Sequence, residues 1–283
     1  MRSLSTTATT PSREAVMTQA GSENFPVASY LIGPRQRAQL LSIYGFARLV
    51  DDLGDEAAGD RQALLDWLEH DLDRVYEGAE PEHPVMRALV PTVAECRLPD
   101  GPFRRLIEAN RRDQVVSRYQ SFDELLGYCQ LSAAPVGELV LHVFDAASAE
   151  RIALADRVCA GLQIVEHLQD VGEDFSRGRV YMPHEDLARF GCDEHELAAS
   201  SVSPALAELL SFEAGRVRAL LDAGAPLART LAPRPRLAVA GFVAGGRAAL
   251  DALQRARFEV LARRPRATRR GFARRWLEAV AGR

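Results

Sequence analysis

GLQIVEHLQDVGEDFSRGRVYMP, residues 161–183, sets five side-chain oxygen donors along one stretch of helical periodicity. At about 100° per residue, Gln163, Glu166, Asp170, Asp174 and Arg177 fall on a face about 60° wide, with Glu173 beside them. Ile164, Val165, Leu168, Val171 and Phe175 occupy the other side. The pattern predicts an amphipathic helix whose polar face is acidic. Like charges at i,i+4 cost a few tenths of a kcal/mol per pair and gain nothing locally, so packing alone does not account for that face.

A second acidic helix lies far upstream, in RQRAQLLSIYGFARLVDDLGDE (35–56). Tyr44, Arg48, Asp51 and Asp55 follow steps of +4, +3 and +4 and form one stripe; Ile43, Phe46, Val50 and Leu53 form an apolar stripe roughly opposite. Asp51, Asp52 and Asp55 cluster at the C-terminal end, where the helix dipole disfavours negative charge. Two readings are open for one such helix: a solvated face with Arg48 pairing nearby carboxylates, or a ligand site. Two acidic helices in one helical chain favour the ligand site.

Outward from these, helical periodicity covers 34–55, 60–77, 84–97, 102–118, 121–146, 148–175, 204–230, 236–263 and 268–281. Ser121 with Glu124 reads as a capping box, Ser203-Pro204 as a helix start, and Pro135 as a kink. Alternating strand patterns are missing, so the expectation is one all-α domain over 23–283, preceded by a disordered leader at 1–22. The irregular segment 176–203 has the length of a functional loop. Gly245-Gly246 sits within a helical run and reads as a close-packing site.

Composition narrows the classes. With 47% hydrophobic residues the chain has material for one large core, and a net charge of −4 supplies no basic field for nucleic acid. Every basic side chain is Arg. Cys96, Cys129, Cys159 and Cys192 lack CxxC spacing and read as reduced thiols; the six His are scattered, without zinc spacing. No stretch reaches the roughly 20 apolar residues of a membrane span. The expected location is cytoplasmic, with peripheral contact at the inner membrane face through the arginine-rich end ARRPRATRRGFARRW (262–276), or else a solvated terminal helix there. Carboxylates are hard ligands that suit Mg²⁺, which is commonly held by one or two of them together with waters and substrate phosphates. Facing acidic pairs therefore make sense when a diphosphate completes the site, with Arg side chains as its forked partners.

These features resemble the squalene/phytoene synthase family, over about Glu23 to Thr268. ENFPVASYL (23–31) is similar to the family's opening substrate segment, YGFARLVDDLGDE (44–56) to its first aspartate-rich motif, and QIVEHLQDVGEDFSRGRVYMP (163–183) to its second. RYQSFDELLGYCQLSAAPVGELVLHVF (118–144) resembles the helix that carries the family's active-site tyrosine, here Tyr128. Within the family, ENFPVAS, APVGELVLHVF and the run GGRAALDAL…FEVLARRP (245–265) look most like bacterial hydroxysqualene synthases of hopanoid biosynthesis.

The resemblance implies an isoprenoid synthase fold with a central apolar cavity. It also implies Mg²⁺ on Asp51, Asp55, Glu166, Asp170 and Asp174, and a prenyl diphosphate substrate, presqualene or farnesyl diphosphate. Substrate contacts would come from Asn24, Phe25, Tyr44, Arg48, Gln163, Arg177, Arg179 and Tyr181, with no NADPH needed. Three positions depart from the family. Glu166 stands where Asn is common, Gln169 where Arg is common, leaving Arg177 or Arg179 to compensate, and the late-helix tyrosine near Gly245 is missing. The competing readings are another head-to-head prenyl synthase (presqualene diphosphate, dehydrosqualene or phytoene synthase), a non-catalytic relative acting in binding or assembly, and a helical scaffold with acidic grooves.

Overall fold

A computed structural model describes residues 32–282. The leader and the ENFPVASYL segment, with Asn24 and Phe25, lie outside the described residues. Helix α1, Pro34–Asp51, opens on a proline at its first position and buries Leu40, Ile43, Phe46, Leu49 and Val50 at helical spacing. It widens into one π-helical turn, Asp52–Glu56, in which the Ala57 N–H reaches back to the Asp52 carbonyl at 2.9 Å. Helix α2 (Arg61–Glu77) is capped by the Asp60 carboxylate, which accepts the Ala63 N–H at 3.0 Å, and it stops at Gly78 in the left-handed region. Helices α3 (Pro84–Cys96) and α4 (Gly101–Asp113) close a first core around Phe46 and Phe103, which meet edge to face at 4.8 Å.

The rest follows as α5 (Phe122–Ser132), α6 (Ala134–Val143), α7 (Ala149–Gln169), α8 (Val171–Ser176), α9 (His184–Phe190), α10 (Pro204–Gly224), α11 (Pro233–Arg255) and α12 (Arg269–Ala281). Helix α7 is the axis, packed by α5, α6, α10 and α11. Its apolar faces and those of α5 and α10 build a second core, and a smaller third core lies under α12. Helix α6 packs on α7 while its Leu139, Val140 and Val143 belong to the first core, so the layers join into one all-α domain. Among the described residues there is no strand, and one isolated parallel bridge pairs Arg118 with Val180.

The departures from the expected helices have local causes. The 102–118 run ends at Asp113, because residues 117–120 hydrogen-bond to the loop after α8 and the start of α9: Val180 N–H to the Ser117 carbonyl at 2.9 Å, His184 to Tyr119 at 2.9 Å and Glu185 to Gln120 at 3.0 Å. The 121–146 run breaks at Ala133, two residues before Pro135. The 148–175 run bends at Asp170 (φ −109°, ψ 13°). The 204–230 run becomes 3₁₀ after Gly224, ahead of Pro226. The 236–263 run stops at Arg255, because Arg257 and Phe258 adopt positive φ and turn the chain back across α7. The capping box is half formed: Ser121 Oγ accepts the Glu124 N–H at 3.2 Å, but the Glu124 carboxylate takes the Gln120 N–H instead of closing on Ser121. The 176–203 segment contains α9 and a short 3₁₀ turn, Glu194–Ala198.

Gly54 and Gly246 are among the glycines dictated by approach distance. A Cβ on Gly54 would sit 2.2 Å from Asn110 Oδ1 and 3.1 Å from its Cβ, and one on Gly246 would sit 2.8 Å from Leu221 Cδ1. Gly245 faces open space, so the close-packing site is Gly246 alone. We expect Gly54→Ala to cost about 1–3 kcal/mol by overpacking, and Gly245→Ala to stabilise its helix by about 0.5–1 kcal/mol. Urea unfolding of both variants checks this; equal midpoints would mean that Asn110 gives way freely.

Candidate active site

The end of α1 supplies the first acidic group. Asp51 Oδ1 accepts the Asn110 amide of α4 at 3.2 Å, and Gln114 Nε2 reaches the Gly54 carbonyl at 2.9 Å. The Asp51 side chain is open to water, yet burial among protein atoms is the largest influence on its carboxyl. The carboxyl is pushed up to about 7, with Asn110 opposing the rise and Asp55 adding to it. An accessible but crowded carboxylate lies in a recess.

Arg48 does not face Asp51 and Asp55 as the helical stripe suggested. Its guanidinium pairs with Asp52, one helical turn on, at 2.7 Å and with Glu56, at the end of the π turn, at 3.0 Å. Tyr44 is buried in the same helix, within electrostatic reach of Arg48.

The bend at Asp170 shapes the second group. Asp170 Oδ1 pairs with Arg264 Nε at 2.9 Å, and Gln169 Nε2 donates to the Pro265 carbonyl at 2.5 Å, so the 259–268 segment straps the break. Burial raises the Asp170 carboxyl, with Arg264 opposing. Asp174 lies 3.4 Å from His167 Nδ1, and His167 Nε2 lies 3.2 Å from Gln163 Nε2. With the ring proton on Nδ1, His167 donates to Asp174 and accepts the Gln163 amide, an assignment made from the network. Glu166 sits one turn before Asp170 and receives the Asp170 N–H on its carbonyl at 3.0 Å. Arg177 turns away to an exposed pair with Glu173 at 2.8 Å, so of the two arginines expected near the diphosphate only Arg179 reaches across.

Direct contacts join the two segments. Arg179 donates to both oxygens of Asp55, one of them at 3.3 Å. The His167 ring stacks on Tyr181, with centroids 3.6 Å apart and planes 14° from parallel. Tyr181 packs against Tyr128 and Tyr119 at 5.9 and 5.8 Å, and the Tyr128 hydroxyl donates to Asp113 Oδ2 at 2.7 Å. Asp113 stands between the segments, within electrostatic reach of Arg179, Asp55 and His167. Burial pushes its carboxyl up to about 6, with Tyr128 opposing.

Asn110, Asp113, Gln114, Tyr119 and Arg264 were not singled out from the sequence. The signal for Asn110 and Asp113 was present: they extend the buried stripe of Phe103, Leu106 and Ile107, where a polar residue needs a reason. Arg264 carried no signal, since it is one of several arginines in an exposed run.

Among the described residues, no three His, Cys, Asp or Glu side chains converge as a ready metal cage, because Asp55 and Asp170 are each turned to an arginine. The donor chemistry still fits a hard divalent ion: carboxylate oxygens in two stations, of the kind completed by water and phosphate. One hollow of about 430 Å³ lies between α1 and α3, and another lies beside the 57–62 turn and Gln114. Neither is lined by any of the four aspartates, so the central apolar cavity implied by the resemblance is neither of them.

Comparison with known proteins gives the family. The squalene/phytoene synthase family profile matches residues 18–271. The hydroxysqualene synthase of Rhodopseudomonas palustris is 38% identical over 207 residues, 73% of this chain and 70% of that protein. The 15-cis-phytoene synthase of Synechococcus elongatus is 30% identical over 256 residues, 86% of this chain and 83% of that protein. A crystal structure of squalene synthase HpnC from Alicyclobacillus acidocaldarius superposes with a TM-score of 0.81 at 41% identity, covering 86% of this chain and 92% of that one. The chain belongs to the squalene/phytoene synthase family, and its relatives within that family include hydroxysqualene synthases.

Proposed function

We propose that this protein converts presqualene diphosphate to hydroxysqualene, releasing diphosphate and capturing water. The observation that carries the reading is the continuous set of contacts between the two acidic segments, running from Asp55 through Arg179 and from Asp113 through Tyr128, Tyr181 and His167 to Asp174. Hydroxysqualene synthases among the relatives favour this substrate over others of the family.

Asp51, Asp55, Asp170 and Asp174, with Glu166 beside them, would hold Mg²⁺, which neutralises charge on a departing diphosphate. The chain's own cations add to this: Arg179 and Arg264 already stand at Asp55 and Asp170 with forked donors suited to phosphate oxygens. Arg48 holds the π turn, and so positions Asp51 rather than meeting the leaving group. Gln163 orients His167, and Asn24 and Phe25 are assigned to substrate by the resemblance alone. The rings of Tyr128, Tyr119 and Tyr181 offer π faces to a carbocation, and their packing limits water. Ionisation followed by water capture changes no oxidation state overall, so no NADPH enters. Among the described residues no helix is long and apolar enough to cross a membrane. Exposed Arg263, Arg266, Arg269 and Arg270 supply the basic surface for peripheral contact of a cytoplasmic enzyme with anionic lipid at the inner membrane face.

The test is product analysis with farnesyl, geranylgeranyl or presqualene diphosphate supplied separately, with Mg²⁺ and no reductant. Hydroxysqualene from presqualene diphosphate is expected. Phytoene or dehydrosqualene from the linear substrates, with presqualene diphosphate untouched, would move the protein to another branch of its family. Asp51→Asn and Asp170→Asn should each slow diphosphate release on the order of 10²–10³-fold, the scale of losing one charge-stabilising group at a reacting centre.

Stability should move the opposite way in Asp51→Asn. A carboxyl raised from 3.8 to about 7 on folding binds more protons in the folded than in the unfolded chain between those values, so its contribution to stability falls as pH rises through that window. Asp51→Asn should therefore melt higher than the parent at pH 8 and converge with it near pH 4. Higher melting with diphosphate release untouched would favour the scaffold reading instead.

A further inference from the structure

We propose that Asp113 is the catalytic base that takes the proton from the water captured by the carbocation, with Tyr128 holding the carboxylate in place. The inference rests on the reading above that the reaction ends in an alcohol. It is carried by the position of Asp113 at the end of α4, between the acidic segments and under the three-tyrosine cluster. One carboxylate oxygen, Oδ2, is fixed by the Tyr128 hydroxyl at 2.7 Å. The other, Oδ1, is buried and has no hydrogen-bond partner among the described residues. An oxygen left in that state beside aromatic faces is suited to a transient donor.

The chemistry gives such a group a task. The C–O bond to diphosphate breaks and its electron pair leaves with the diphosphate. After rearrangement, a water oxygen gives a lone pair to the cationic carbon and forms the new C–O bond. The resulting oxonium then breaks one O–H bond; the electron pair stays on oxygen and the proton passes to Asp113. Nothing is oxidised or reduced, and Asp113 returns the proton to solvent.

Other groups are worse placed for this. Asp51, Asp55, Asp170 and Asp174 are assigned to diphosphate and metal. Tyr119, Tyr128 and Tyr181 all have hydroxyls pushed well above the ordinary range by burial, so they do not serve as phenolate bases. The charged and titratable groups facing Asp113 are Arg179 and Asp55 from the two acidic segments, His167 from α7 and those three tyrosines, with Arg112 its neighbour on α4. Burial disfavours the carboxylate form that a base must hold before water arrives, and the Tyr128 hydroxyl and the Arg179 guanidinium act against that penalty.

The test separates ionisation from capture. With presqualene diphosphate and Mg²⁺, diphosphate release and the share of alcohol among the organic products are measured for the parent, Asp113→Asn, Asp113→Glu and Tyr128→Phe. In Asp113→Asn we expect release to persist within about tenfold, while the alcohol share falls at least tenfold and hydrocarbons formed by proton loss from carbon take its place. Asp113→Glu should recover part of the alcohol share, and Tyr128→Phe should lower it less than Asp113→Asn does. The parent's alcohol share should fall as pH drops through about 6, where the base becomes protonated, and that fall should vanish in Asp113→Asn. An unchanged alcohol share in Asp113→Asn, a parent share flat from pH 5 to 8, or loss of release in step with alcohol would each overturn the role. If the parent itself releases no diphosphate from this substrate, the functional reading fails before the base is in question.

Discussion

Arg179 bonded to Asp55 is the contact on which the arrangement turns, because it is a direct side-chain bond between the first acidic segment and the turn that leaves the second. Its strength does not explain its hold. The two side chains are 22% and 42% exposed, and a pair so open to water contributes about 0–1 kcal/mol. What fixes Arg179 is its backbone. The three N–H groups of Val180, His184 and Glu185 bond to the carbonyls of Ser117, Tyr119 and Gln120, and Tyr181 between them is clamped by His167 on one side and the tyrosine cluster on the other. At about 0.5–1.5 kcal/mol for each hydrogen bond, plus the buried rings, that ladder outweighs the ion pair. The ion pair reports where the ladder has brought the chain.

The same enclosure creates an electrostatic demand. Asp51, Asp113 and Asp170 all have carboxyls raised first by burial, so each is held where its charge is disfavoured. Arg48, the cation nearest Asp51 in the chain, is engaged by Asp52 and Glu56. The protein brings carboxylates together faster than it brings compensating charge, an arrangement selected against for stability alone and natural for a site completed by a cation and a charged substrate.

Much of the fold was legible because apolar periodicity and caps are local. Ser121 and Ser203, read as helix starts, each accept an N–H from the first turn they precede, as Asp60 and Ser148 also do, and the Pro135 break falls within two residues of the proline. Helix ends were illegible where a distant segment imposed them: α4 stops so that 117–120 can pair with 180–185, and α11 stops because Arg257 and Phe258 turn left-handed. In the candidate site, the acidic residues were legible as types at a spacing, while their partners were not. Nothing near Asp170 in the chain points to Arg264, and nothing near Asp51 points to Asn110; both are supplied by packing. Arg48 and Arg177 were misdirected for a common reason, since a nearby carboxylate on the same helix captured each before it could reach across.

Two of the places where the helices depart from regularity are the places where the aspartates stand. On an undisturbed helix, carboxylates at i and i+4 lie side by side on one face, about 5–6 Å apart, sharing whatever neighbour that face meets and repelling one another. The π turn at Asp52–Glu56 and the bend at Asp170 undo that sharing. Asp51 is left with Asn110 of α4, Asp55 with Arg179 of the following loop, Asp170 with Arg264 of the strap and Asp174 with His167 of α7. Each aspartate is thereby held by a different element, so its orientation is set independently of its helical neighbour. Single π turns recur at functional sites for this kind of reason: they trade a regular ladder for control over where one side chain points. Two acidic helices alone would make a charged groove. Two acidic helices interrupted at the acids make a site whose oxygens can be aimed.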